Sequence, residues 1–66
     1  MIDYHDYVGD RVKVIDRDDK IIEGVIIGYD VGIDRGEEYD AIDIKKDNGI
    51  CIAQPISDIK YFEVLK

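Results

Sequence analysis

Arg11-Val12-Lys13-Val14-Ile15 alternates polar and apolar positions, which predicts a strand with Val12 and Val14 turned inward. Asp16-Arg17-Asp18-Asp19 follows as a polar turn, and Lys20 to Tyr29 reads as a long second strand. Gly24 falls in the middle of that strand. An isolated Gly there marks a sharp bend or bulge, the device by which a small barrel wraps one strand into two sheets. Ahead of these strands, Asp3 is placed to cap a brief helical turn. Tyr4, Tyr7 and Val8 share a face at i, i+3 and i+4, and Gly9 is the natural stop.

Asp30 to Glu38 is the longest predicted loop, with Gly32 and Gly36 supplying flexibility, and Tyr39 to Lys46 reads as a third strand. Asp47-Asn48-Gly49 is the clearest turn in the chain. A strict two-residue Asn-Gly turn would pair Lys45 with Ile52 and mix the two faces. A three-residue turn with Gly49 in the left-handed bulge position pairs Ile44 with Ile52 and puts Ile42 and Ile50 on that face. The second register is expected, because a slip of one residue would turn half the apolar set to solvent. Pro55 cannot donate to a ladder and ends the fourth strand. Ile56-Ser57-Asp58 fits one tight helical turn, and Ile59 to Leu65 forms the last strand.

Composition supports strands throughout. Nineteen of 66 residues are Val or Ile, against one Leu and two Ala, and β-branched side chains favour a pleated surface over a helix. The expected fold is an all-β, small five-stranded barrel with a short N-terminal helical turn, one domain over residues 1–66. A core of this size rarely leaves more than roughly 3–5 kcal/mol of net stability. A single Cys51 excludes an internal disulfide and no His or Cys cluster suggests zinc, so the remaining reinforcement is self-association, unless an idealised closed barrel manages alone. Uninterrupted apolar runs, such as Val25-Ile26-Ile27, are far too short to span a membrane. With no export signal and one unpaired thiol, the expected location is cytoplasmic. Sixteen acidic residues against nine basic ones give a net charge of −7, which opposes nonspecific binding to nucleic acid.

Val8-Gly9-Asp10-Arg11-Val12-Lys13-Val14, followed by Gly24-Val25-Ile26, resembles the opening of SH3-like barrels of the KOW kind. Lys20 to Asp30 is also similar to the first signature of Sm-like proteins, a bent strand with a central Gly that ends in Gly-x-Asp, here Gly28-Tyr29-Asp30. Ile56-Ser57-Asp58-Ile59 resembles the short turn between the last two strands of both groups. The resemblance implies an SH3-like or Sm-like barrel, and RNA binding as its usual function. Two departures bear on that function. Asp34 stands about where RNA-binding Sm-like proteins carry an Asn, and Gln54-Pro55 stands where they carry Arg-Gly.

No catalytic constellation is legible, and the chain is not expected to be an enzyme or to carry a cofactor or metal. His5, between Asp3 and Asp6, reads as exposed and lacks a nucleophile nearby in sequence. Cys51 alternates out of phase with Ile50 and Ile52 and belongs on the outer face, with nothing nearby in sequence to activate it. The loop from Asp30 fails the EF-hand template, with Gly32 at a ligand position, Arg35 at the turn Gly and Ala41 at the bidentate Glu. Asp34, Glu37 and Glu38 are left as adventitious cation ligands only. Asp16, Asp18 and Asp19 read as turn chemistry. Tyr4, Tyr7 and Tyr61 are assigned to core-edge packing. Tyr29 and Tyr39 bracket the acidic loop and, with Asp30, could present an aromatic-acidic patch to a basic or proline-containing protein segment. The expected function is therefore a protein-binding or self-associating module working by strand addition. The alternative is a nucleic-acid-binding domain that gathers Arg11, Lys13, Lys45, Lys46 and Lys60 on one face.

Overall fold

The computed structural model describes residues 3–32, 36 and 39–65. A 3-10 turn at Tyr4–Tyr7 leads into β1 (Arg11–Asp16), β2 (Ile21–Asp30), β3 (Ala41–Lys46) and β4 (Cys51–Pro55). A second 3-10 turn, Ile56–Asp58, connects β4 to β5 (Ile59–Val64). All neighbouring strands are antiparallel, and the sheet runs β4-β3-β2-β1-β5. The sheet is not closed, because its two edge strands, β4 and β5, do not pair. The five-stranded all-β architecture with an N-terminal helical turn is the expected one. Among the described residues, no helix is long and apolar enough to cross a membrane.

Alternation builds the core. Val12 and Val14 of β1 oppose Gly24 and Ile22 on β2, and Val64 and Phe62 on β5. Ile26 opposes Ile44, which opposes Ile52 in turn. Val12, Val14, Ile26, Ile42 and Ile44 are fully buried. Each Val or Ile removed from water stabilises the fold by about 1.5–3 kcal/mol, so these five residues dominate its cohesion. The 3-10 turn caps one end of this core. Asp3 Oδ1 accepts from the His5 N–H at 3.0 Å, and the turn brings Tyr4 and Tyr7 onto Phe62. Tyr4 meets that ring edge-on at 4.9 Å, a favoured aromatic geometry.

Strand β2 joins the two halves of the sheet. Residues 21–25 pair with β1 and residues 24–30 pair with β3, so the strand changes partners at Gly24 and Val25. Gly24 itself is not the bulge. A Cβ there would overlap the carbonyl oxygen of Lys45 and lie 2.9 Å from Lys46 Cα, so the glycine serves close backbone approach. The bulge sits three residues on, where Ile26 opposes Ile44 and Gly28 opposes Asp43, leaving Ile27 unpaired and exposed.

The β3–β4 hairpin has the expected three-residue turn. Lys46 N–H bonds the Ile50 carbonyl at 2.8 Å, Gly49 adopts φ +89°, and Ile44 pairs with Ile52. Ile50 shares that face but lies past the end of the core and stays exposed. Three further placements differ from expectation. Val8 leaves the tyrosine face because the turn is 3-10 rather than α, and it is exposed. Tyr61 lies on the outer face of β5, where its hydroxyl donates to Glu63 at 2.9 Å. Gln54 occupies an inward position opposite Ile42 and is 95% covered, an amide where alternation calls for a hydrocarbon. Its Nε2 donates to the Pro55 carbonyl at 3.2 Å, which offsets the cost of burying it.

The two glycines Gly24 and Gly49 separate crowding from backbone conformation. Gly49→Ala has open space but a positive φ, and is expected to cost about 1–2 kcal/mol. Gly24→Ala, at an ordinary φ, is expected to cost about 3 kcal/mol or more, because the obstacle is main chain. Urea denaturation of both variants checks the ranking, and the reverse order would refute the role given to Gly24.

Candidate functional site

The bulge at Ile27 decides where Tyr29 points. Without it, Tyr29 would lie on the outer face with Val25; with it, Tyr29 opposes the fully buried Ile42 and packs against the core edge. Its hydroxyl donates to Asp40 Oδ2 at 2.6 Å, while Asp40 Oδ1 accepts from the Gly32 N–H at 2.8 Å. The His5 ring stacks on Tyr29 with centroids 3.8 Å apart and planes 26° from parallel. His5 Nδ1 lies 3.0 Å from Asp3 Oδ1. That side-chain hydrogen bond, with the His5 backbone N–H behind it, holds the Asp3 carboxyl below its ordinary range. A Cβ on Gly32 would overlap the Tyr39 carbonyl oxygen, so the two ends of the acidic loop approach as bare backbone.

Of the three residues singled out from sequence, Tyr29 belongs to this clamp, Tyr39 lies beside it and Asp30 does not join it. Asp30 opposes Ala41 on the other face of β2, as the two-residue period requires. Tyr39 is 42% exposed. The clamp adds His5, Gly32 and Asp40, which the sequence reading left as an exposed flank, a flexible hinge and one carboxylate among many. Only the bulge parity could have placed Tyr29 against the core, and the bulge falls at Ile27 rather than at Gly24. Asp34, Glu37 and Glu38, named above as adventitious cation ligands, lie outside the described residues. Among the described residues, no group of three or more His, Cys, Asp or Glu side chains is placed to hold a metal ion. Cys51 is exposed on the outer face, where alternation puts it.

Of the five cations of the nucleic-acid reading, Arg11, Lys13 and Lys45 share the outer face of the sheet, with Arg11 and Lys45 both opposite Val25, but carboxylates accompany them. Arg11 bonds Asp47 at 2.7 Å, and that hydrogen bond raises its pKa. Lys60 pairs with Asp19. Lys13 lies between Glu23 on β2 and Glu63 on β5. Lys45 and Lys46, adjacent on β3, point to opposite faces.

The free edges complete the candidate surface. Lys46 N–H to the Ile50 carbonyl and Ile56 N–H to the Asp40 carbonyl fix which β4 residues bond inward. Antiparallel alternation then turns the main-chain groups of Cys51, Ala53 and Pro55 away from β3. Pro55 has no N–H, and its carbonyl is engaged by Gln54. On β5, Leu65 N–H bonds the Arg11 carbonyl, so Phe62 and Val64 direct their main-chain groups to the open side.

The Tyr29 hydroxyl is pushed up to about 12, first by its hydrogen bond to Asp40, then by burial and by the charge of Asp40. Because the folded pKa lies above the unfolded value near 10, the protonated hydroxyl stabilises the fold fully below pH 10. That contribution is lost as pH rises from about 10 to about 12. Tyr29→Phe is expected to cost about 1 kcal/mol. It should also remove the phase near pH 12 from an ultraviolet tyrosinate titration, and the same phase surviving in the variant would assign it to another tyrosine.

No protein-family model matches the chain, and a search of curated proteins finds no match either. Among solved structures, the chain is similar to one from work on activation of the Dcp1:Dcp2 mRNA decapping complex by Edc3 and Scd6. The two share 21% sequence identity with a TM-score of 0.75, over 100% of this chain and 62% of the other. This chain thus spans less than two thirds of its neighbour. The likeness shows the fold, a small β domain, without singling out the Sm-like or the KOW kind.

Proposed function

We propose that residues 1–66 act as a non-catalytic, cytoplasmic interaction module that captures an extended segment of a protein partner, or of a second copy, by strand addition. The observation that carries this reading is the pair of unpaired sheet edges, β4 and β5, in an otherwise fully paired antiparallel sheet. An exposed edge is a template of unpaired N–H and C=O groups, and adding a strand there gives affinity through main-chain hydrogen bonds. Tyr29, Asp30 and Tyr39, at the end of the sheet where β2 leaves for the acidic loop, would supply side-chain contacts. The fold shared with a chain studied in a multi-protein decapping assembly fits this reading.

RNA binding, the alternative that the Sm-like and KOW resemblances imply, is opposed by the net charge of −7 and by the carboxylates that meet Arg11, Lys13 and Lys60. A salt titration with single-stranded RNA tests it, since phosphate contacts give an affinity that falls steeply with salt. The expected outcome is no measurable binding at physiological salt.

Ala53→Pro is the direct test of strand addition. Ala53 directs its N–H to the open side, so proline there removes no bond to β3. The variant is expected to keep its fold and to lose the partners, or the larger solution mass, that the parent chain shows in quantitative pull-down from host lysate and sedimentation equilibrium. Tyr39→Ala is expected to weaken capture about tenfold, roughly 1.4 kcal/mol, by removing a half-exposed ring. Capture and mass unchanged in both variants would overturn the proposed site.

A further inference from the structure

We propose that Asn48 is a self-modification site, where the chain converts its one asparagine to aspartate and isoaspartate and thereby releases the β3–β4 hairpin. Asn48 is exposed at the tip of that hairpin and is followed by Gly49. The main-chain nitrogen of Gly49 is the nucleophile. It loses its proton and bonds Asn48 Cγ, the Cγ–Nδ2 bond breaks, and the amide nitrogen leaves with that proton as ammonia. Water then opens the cyclic imide that remains. Attack at Cγ gives aspartate, whereas attack at the main-chain carbonyl carbon gives isoaspartate, in which the backbone runs through Cβ. One water is taken up and one ammonia released, with no oxidant or second protein in the balance.

The turn both assists and restrains this step. Asn48 Oδ1 accepts from the Ile50 N–H at 3.0 Å, so a donor already points at the oxygen that takes up negative charge as Cγ is attacked. No side chain on Gly49 shields its nitrogen, and the place a Cβ would take is open space. Against this, the Gly49 N–H donates to the Lys46 carbonyl at 2.8 Å, a bond that must be given up. Losing one net hydrogen bond slows a step on the order of fivefold. The folded chain should therefore react at no less than about a tenth of the rate of the unfolded chain. The chemistry is confined to this position. Gln54, the other side-chain amide, precedes Pro55, whose nitrogen has no proton to lose. No Asp-Gly pair occurs in the chain to yield isoaspartate by the same cyclisation.

Loop length sets the consequence. Isoaspartate adds one main-chain atom to a three-residue turn whose length fixes the pairing of Ile44 with Ile52. It also places a new carboxylate beside Asp47, which holds Arg11. β4 is an edge strand paired with β3 alone, so it is the strand that comes loose.

The test is prolonged incubation of the intact chain, folded and in urea, at neutral and mildly alkaline pH. Peptide mapping by mass spectrometry then separates asparagine, aspartate and isoaspartate at position 48. Both products are expected in the folded chain at a rate above the limit just given, matched mole for mole by ammonia. The rate should rise with pH, because the attacking nitrogen must lose its proton. In the isoaspartate form, hydrogen exchange is expected to show the Ile52 and Gln54 amides losing protection while those of β1 keep theirs. Asn48→Asp adds the charge without lengthening the main chain and is expected to retain protection throughout. Conversion in the folded chain below that limit, or an isoaspartate form with β4 still protected, would overturn the proposal. Equal loss of protection in Asn48→Asp would overturn the release by main-chain lengthening. None of these readouts involves a partner, so their outcome is separable from that for strand addition at the open edges.

Discussion

The structure depends on one backbone contact, the approach of Gly24 to the carbonyl of Lys45. At that point β2 is paired on one side with Val12 and on the other with Lys46, so three strands meet where no side chain intervenes. Moving β2 away from β3 to accommodate a Cβ would break the ladder that carries Ile44 onto Ile26. Of the five largest fully buried side chains, Ile26, Ile42 and Ile44 lie on the β3 side of this junction, and Val12 and Val14 lie on the β1 side. The glycine therefore holds together two half-cores that are each too small to fold alone.

What was legible in the sequence was whatever period and turn chemistry determine locally. Val12 and Val14 point inward because β1 alternates without interruption, and the Asp47–Gly49 register follows from keeping Ile44 and Ile52 on one face. What escaped was whatever depends on a change of parity. A bulge reverses inside and outside for every residue beyond it, so reading it at Gly24 rather than at Ile27 exchanges the faces of the residues between, Val25 and Ile26. The same local reading could not find the Tyr29–Asp40–Gly32 clamp, whose members are brought together by two different strands and a loop. Gln54 was hidden for another reason. An amide in an apolar position is tolerated only where a main-chain acceptor is in reach, and the Pro55 carbonyl supplies it.

The acidic balance is unevenly used. Asp3, Asp16, Asp19, Asp40 and Asp47 all bond specific donors: the His5 N–H, the main chain of the β1–β2 turn, Lys60, Tyr29 with Gly32, and Arg11. These contacts fasten turns and loop ends and leave the centre of the sheet to hydrocarbon. Exposed ion pairs of this kind contribute little to stability because water screens them. Their effect is geometric: they tie up cations that could otherwise make a phosphate-binding patch. Charge at this surface therefore acts on partner choice more than on cohesion.

The two edges are unequal, and the inequality has a direction. On β4 the outward main-chain groups end at a proline whose carbonyl is already engaged, which leaves Cys51 and Ala53 as the residues able to receive a strand. On β5 the groups of Phe62 and Val64 face the open side with no proline among them. A strand added to β5 would extend the cross-strand row of Ile21, Ile15 and Tyr61 on the outer face by one position, about 4.8 Å beyond the tyrosine. Edge and outer face are thus one continuous surface at β5 and separate surfaces at β4. A partner strand that also carried apolar side chains would gain from both only at β5. There the main chain would set the register, and the apolar row would select the side chains.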